Sequence, residues 1–176
     1  MTKSIVHSVV MCLMMLCPLG VWAQRTGTEQ KFHEMVSKGT LTFAGDNKIG
    51  ITDFVTYTCS NHADTKFAVN DSKISICLPK AGSSVTTTKI ADLVGLKINH
   101  RFDAKYTNVQ VSISMDSINW IVVSTPESYY FGAIDIPNFV HDSYYVKITN
   151  TTKTDFAIRM ITYYTDNCNC FRYVAE

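Results

Sequence analysis

The chain lacks a block of like charge. Sixteen basic residues stand against fifteen acidic ones in 176, and outside the first 23 residues the two are equal. That excludes phosphate-driven nucleic-acid binding and a polybasic membrane anchor. It also lacks the usual nucleophile and metal signatures. There is no G-x-S-x-G elbow, no H-E-x-x-H, and Cys168-Asn-Cys170 has one spacer residue where C-x-x-C has two. The mature histidines, His33, His62, His100 and His141, form no such pairing. Most acidic residues sit at turns, where Asp caps backbone amides: Asp46, Asp53, Asp64, Asp71, Asp116, Asp155 and Asp166. No catalytic residue is assigned, and the chain is read as not an enzyme. Leucine and alanine are scarce too. Residues 24–176 hold four Leu and nine Ala against fourteen Ile, twelve Val and nineteen Thr. Branching at Cβ stiffens χ1 and suits a pleated surface, so helical architectures are excluded and an all-β domain is expected.

What is present begins with a leader. Lys3 precedes an apolar stretch from Ile5 to Leu19, and Val21-Trp22-Ala23 supplies a signal peptidase site before Gln24. The stretch is short for a membrane span. Residues 1–23 are therefore expected to be a signal peptide, and the mature chain to work outside the cytoplasm: secreted, periplasmic or on the cell surface. Neither Cys12 nor Cys17 follows a small residue, so a lipoprotein is not expected. Four cysteines remain, Cys59, Cys77, Cys168 and Cys170, an even number that suggests disulfides in an exported chain. A Cys168–Cys170 ring would be strained. Either each of those two bonds elsewhere, or Cys59 bridges Cys77.

Residues 24–39 form an N-terminal segment. Thr26 and Glu29 have capping-box spacing, Phe32, Met35 and Val36 share a face, and Gly39 would end a short helix over 28–38. A mobile linker is the alternative. Residues 40–176 read as strands: Leu41 and Phe43, 54–59, 66–69, 73–78, 93–102, 108–114, 120–125, 144–149 and 156–164. Ile74, Ile76 and Leu78 share one face, as do Leu96, Ile98 and His100. Val109, Val111 and Ile113 should point inward, and Asp116-Ser-Ile-Asn119 makes a tight turn. About nine strands with regular turns indicate a two-sheet antiparallel β-sandwich.

The hairpin 108–125, with Asp116-Ser-Ile-Asn-Trp120 at its turn, resembles the "strand, S-x-D-G-x-x-W, strand" hairpin of galactose-binding-like jelly rolls. These carbohydrate-binding-module-like domains occur in secreted Bacteroidetes proteins. Thr87 to Ile98, Tyr144 to Asn150 and Asp155 to Ile161 are similar to other segments of those modules, so the resemblance spans about residues 70–165. Ser117 and Ile118 stand where that family has its glycine turn, and Arg159 and Met160 where it tends to carry acidic residues. The resemblance implies a jelly roll and a non-catalytic binding role, for glycan or another cell-surface component. The alternatives are a structural or adhesive protein-interaction domain and, third, a small extracytoplasmic hydrolase.

For a glycan, aromatic faces would stack on the sugar. Glu127-Ser-Tyr-Tyr-Phe-Gly132 reads as a loop after Pro126, so Tyr129, Tyr130 and Phe131, with Glu127 and Trp120, are the candidate ligand-binding residues. Trp120 is otherwise a core residue at the start of a strand. No cofactor is expected. If the sandwich carries a structural calcium, Asp46, Asn47 and Asp64 are its candidate ligands.

Overall fold

The computed structural model describes residues 25–62, 64–102, 107–125, 127–128 and 131–166. They form thirteen strands and one short helix. All pairings are antiparallel, in one strongly curled sheet whose two halves enclose a common core. The first half centres on β8 (Ile90–Phe102) and β13 (Phe156–Asp166), which pair along most of their length. On its other side β13 takes β6 (Lys73–Leu78), which pairs β5 (Lys66–Asn70), and then β1 (Arg25–Lys31). The second half runs β2 (Thr42–Ala44), β3 (Ile49–Ile51), β4 (Thr56–Cys59), β7 (Ser84–Thr87) and then β9 (Thr107–Ser114), reached through β12. β10 (Ile121–Ser124) and β11 (Glu127–Ser128) pair only with β9.

β12 (Phe131–Asn150) belongs to both halves. Phe131–Pro137 pair with β8, whereas residues 145–150 lie between β7 and β9. The register against β8 shifts between Pro137 and Asp142 and again before Tyr144, Asn138 adopts a left-handed φ of 66°, and after Tyr144, which still faces Ile90 of β8, the strand passes to the second half. The expected all-β sandwich is therefore present, with its halves joined by this strand.

The inward alternation follows the sequence. Ile76, Leu78, Leu96, Ile98, Val109 and Val111 are fully buried, and Ile113 nearly so. The N-terminal segment differs from expectation. The helix α1 spans only Phe32–Ser37, with no side-chain cap, and ends at Gly39 (φ 71°) as expected. Thr26 and Glu29 form no capping box: both lie in β1, opposite Thr165 and Thr162. Long-range pairing with β13 has overridden the local signal. Phe32 then drops into the core, edge-on to Tyr57 and Phe67.

No disulfide joins Cys59 to Cys77, contrary to one of the two expected arrangements. The two lie in opposite halves. Cys59 is buried with Tyr57 on the core face of β4, while the Cys77 sulfur leans on the Ser75 carbonyl, 4.0 Å away. Burial pushes the Cys59 thiol up to about 12, against the pull of nearby Lys48. Such a thiol is a poor thiolate source. Cys168 and Cys170 lie outside the described residues.

His100 is 3% exposed and its ring packs on Phe156, centroids 5.5 Å apart. Burial lowers its pKa from 6.5 to about 4. The folded value lies below the unfolded one, so the neutral ring supports the fold fully above pH 6.5. That support is lost as pH falls from 6.5 toward 4, by at most about 3 kcal/mol. Urea midpoints measured between pH 7.5 and 5 should fall in the wild type and stay flatter in His100→Phe. Equal slopes in the two proteins would mean that another group carries the acid sensitivity.

A candidate binding groove at the β9–β10 turn

The turn between β9 and β10 is built by one carboxylate. Asp116 Oδ1 accepts the Ile118 and Asn119 backbone N–H groups at 2.8 Å each and the Ser114 hydroxyl at 2.9 Å. Its Oδ2 accepts Asn119 Nδ2 at 2.7 Å. These donors hold the carboxyl well below the usual carboxylate range. Ser117 takes the left-handed place, φ 64°, that a glycine would fill more easily. The tight turn read from the sequence is thus present.

Opposite this turn stands the bend of β12. Between them lies a groove of about 560 Å³. Met115, Ile121 and Val123 form one wall, and Pro137, Phe139 and Val140 the other. Tyr144 lies against Phe139 in an edge-to-face arrangement, centroids 6.3 Å apart. Asn119 and Asn138 also line the groove. Asn119 gives its Nδ2 to Asp116, and Asn138 accepts Arg25 Nη2 at 2.6 Å through its Oδ1; among the described residues the other end of each amide has no hydrogen-bond partner.

Large aliphatic side chains are exposed around the opening. Ile118 and Val140 are each 78% exposed and Ile121 66%, with Met115 and Val122 about half exposed. Among the described residues β10 pairs with β9 on one side alone, and its residues carry no charge. It has neither Lys nor Pro, but it is only four residues long and its register shifts between Val122 and Ser124, which limits the edge it offers.

Of the residues picked from the sequence, the described ones do not line this groove. Trp120 is half-buried rather than in the core, with Lys147 Nζ 5.3 Å from its ring centroid. Glu127 pairs with Asn108 near the start of β9, whereas Ile121, next to Trp120, pairs with Ile113. Five residues of strand, roughly 17 Å, separate them. The 127–132 run is also less of a loop than expected. Glu127 and Ser128 form β11, and Phe131 and Gly132 open β12 opposite Arg101 and His100. Tyr129 and Tyr130 lie outside the described residues.

Asp46, Asn47 and Asp64 are exposed and serve their turns, each with a left-handed φ (54°, 63° and 62°). Lys48 sits between their loops, its Nζ 3.5 Å from the Ser60 carbonyl and 3.4 Å from that of His62. Among the described residues no three His, Cys, Asp or Glu side chains cluster to hold a metal. No helix among them is long and apolar enough to cross a membrane.

No family model and no curated protein matches the chain. Solved structures do. A Clostridium thermocellum xylanase 10B carrying the CBM22-1 and GH10 modules, complexed with xylohexaose, aligns with 68% of this chain at 17% identity, TM-score 0.50. The CBM32-6 module produced by Clostridium perfringens aligns with 65% at 12% identity, TM-score 0.48. A family two carbohydrate esterase from Cellvibrio japonicus aligns with 63% at 12% identity, TM-score 0.42. The chain spans 27% of the xylanase and 34% of the esterase, but 96% of the CBM32-6 module. The similarity is to carbohydrate-binding modules. At these identities it is a likeness of fold, and the sandwich hosts many roles.

Proposed function

We propose that the chain is a secreted, non-catalytic binding module for a glycan or another cell-surface component, and that the groove between the β9–β10 turn and the β12 bend is its ligand seat. The groove carries this reading. Its volume is that of a small-ligand site, and its walls are apolar with few polar groups. The C–H faces of a sugar ring pack on such walls, near the rings of Phe139 and Tyr144. The amides of Asn119 and Asn138 are placed to take hydroxyls. Neither a nucleophile–base pair nor a metal cluster accompanies it among the described residues.

The test is retention of residues 24–176 in native gels containing neutral polysaccharides, with and without calcium. Retardation by one polymer is expected. It should weaken at least fivefold in Val140→Asp, which changes an exposed side chain and leaves the core alone. Tyr129→Ala and Tyr130→Ala test the aromatic residues picked from the sequence. If they abolish retention and Val140→Asp does not, the groove is the wrong site.

A protein partner is the second reading, and β10 favours it. The exposed aliphatic side chains of Ile118, Ile121 and Val122, on a short strand without Lys or Pro, can take a partner's apolar surface or strand. Failure of every polymer to retard the chain, with capture of an envelope protein that is lost in Val122→Lys, would select it.

A further inference from the structure

Four strands of the first half bring one row of residues together on its outer face. Gly27 of β1 stands opposite Tyr164 of β13, Tyr164 opposite Gly95 of β8, and Gly95 opposite Pro137 of β12. Tyr163 is fully buried in the core, so Tyr164 points outward. Cross-strand neighbours normally flank a ring with side chains of their own. Here both neighbours are glycines. A Cβ at Gly27 would stand 3.6 Å from Tyr164 Cδ1 and Cε1, and one at Gly95 would stand 2.8 Å from the Ile136 carbonyl oxygen. The half-buried ring therefore leans over Gly27, and no side chain stands beside it on β8. Among the described residues no other ring packs on Tyr164. Glycines inside strands mark places where a ligand or another backbone comes close.

Over this row lies a hollow of about 280 Å³, lined by Arg25, Gly27, Asp135, Pro137 and Tyr164. That volume is near the lower bound of small-ligand sites. The hollow differs from the groove in chemistry, for it holds a guanidinium and a carboxylate beside its ring. Arg25 gives one N–H to Asn138 Oδ1 at 2.6 Å. A guanidinium carries several such donors, and the others meet no partner among the described residues. Asp135 makes no hydrogen bond or ion pair among them. In register, Arg25 stands opposite Asp166 and Lys97 opposite Asp135. The two cations beside the hollow are thus matched by two carboxylates.

A group that only donates, set beside one that only accepts, selects what can answer both. A hydroxyl donates and accepts at once. Neighbouring hydroxyls of a sugar can therefore accept from Arg25 and donate to Asp135. An anion would suit Arg25 and be repelled by Asp135, and a cation the reverse. The C–H face of the same sugar ring can lie on Tyr164, whose flat ring is apolar away from its hydroxyl.

We propose that this hollow is a sugar subsite, taking one uncharged pyranose ring of a glycan. Tyr164 carries the ring, and Arg25 and Asp135 take two of its hydroxyls. The hollow and the groove share Pro137, and Arg25 reaches Asn138, which lines the groove. A chain of sugars can lie across both. The proposal rests on the glycan reading but not on the groove.

The test is native electrophoresis of residues 24–176 in gels containing xyloglucan, galactomannan or mixed-linkage β-glucan, with polygalacturonate as the acidic comparison. Retardation by a neutral polymer is expected, nearly constant as salt rises. Asp135→Ala and Tyr164→Ala should each weaken it at least fivefold, and Tyr164→Phe should keep it. Asp53→Ala removes the same charge from the exposed bend before β4 and should leave it unchanged. Asp135 is exposed, so Asp135→Ala tests the site without touching the core, and thermal melts confirm that each variant folds. Loss in Asp135→Ala and Tyr164→Ala, with full retention in Val140→Asp, supports the hollow and removes the groove. The opposite pattern overturns the hollow and leaves the groove. An equal loss in Asp53→Ala also overturns it. Retardation by polygalacturonate alone overturns the hollow and leaves the glycan reading standing, whereas retardation by no polymer removes both.

Discussion

Replacing Gly50 with Val should cost about 3 kcal/mol or more and leave little folded protein at 37 °C. Gly50 is buried in the middle of β3, between Phe43 of β2 and Tyr57 of β4. A Cβ there would stand 2.4 Å from Phe67 Cζ and 2.6 Å from its Cε2. Ring atoms can be displaced when the ring has somewhere to go. Phe67 has nowhere: Phe32, Phe43 and Tyr57 surround it at centroid distances of 5.5, 5.2 and 6.1 Å. Gly50→Ala should destabilise in the same direction by a smaller amount. Shrinking the ring should relieve the clash, so Gly50→Ala with Phe67→Leu should be more stable than the sum of the two single changes. Urea denaturation of the four proteins measures this coupling. A Gly50→Ala protein with the wild-type midpoint would show that the ring yields freely, and the close packing described above would be wrong.

Asn150→Leu should be comparably damaging, at about 3–4 kcal/mol. Asn150 is fully buried at the end of β12, and its amide uses both ends. Nδ2 donates to the Leu78 and Thr154 carbonyls, each at 2.7 Å. Oδ1 accepts the Thr152 N–H and hydroxyl at 2.9 Å. One side chain thereby ties the end of β6 to the 150–155 turn that leads into β13. Leucine has the same branched side chain of four heavy atoms, is bulkier, and makes none of these bonds. Each buried polar partner left alone costs about 1–3 kcal/mol, and the carbonyl of Leu78 is the one with least access to water. Asn150→Asp keeps the acceptor and loses the donors, so it should fall between wild type and leucine at neutral pH. If leucine were tolerated within about 1 kcal/mol, water would have to reach that turn.

How much of this was legible depends on whether the signal was local. The excess of Ile, Val and Thr fixes strands wherever it falls, and alternation in β6 and β9 identifies the core face because its positions are aliphatic, while the other face, though partly covered at Ser75, Ser112 and Ser114, is polar. The Asp116 turn was legible for the same reason: its donors and acceptors lie within five residues of one another. β1 was not, because its pairing partner lies at the other end of the chain. At the start of β12, Phe131 and Gly132 were read as loop because Pro126 precedes and Gly132 ends that run, and residues 133–143 were assigned to no strand. Phe131–Pro137 pair only with β8, on the outside of the first half, where a missing N–H is tolerated.

The proposed groove was not legible in the sequence. Ile118, Ile121, Val122 and Val140 have the composition of a core, and nothing in sequence separates an aliphatic residue that is covered from one that is not. Arg159 was noticed only as a departure from a family pattern. Its setting depends on β13 passing from one neighbour to another, which is a property of the assembled sheet.

The pairing of β1 with β13 bears on when the molecule can fold. The first described strand is completed by the last, register for register from Arg25–Asp166 to Lys31–Met160. A chain emerging from the ribosome or threading a translocation pore cannot close this sheet until its final strand is free. Contacts of such sequence separation form slowly. Until then β1 has no partner strand and leaves its edge open to any chaperone or neighbouring chain. A protein wired in this way closes its first half only after its last described strand has been made.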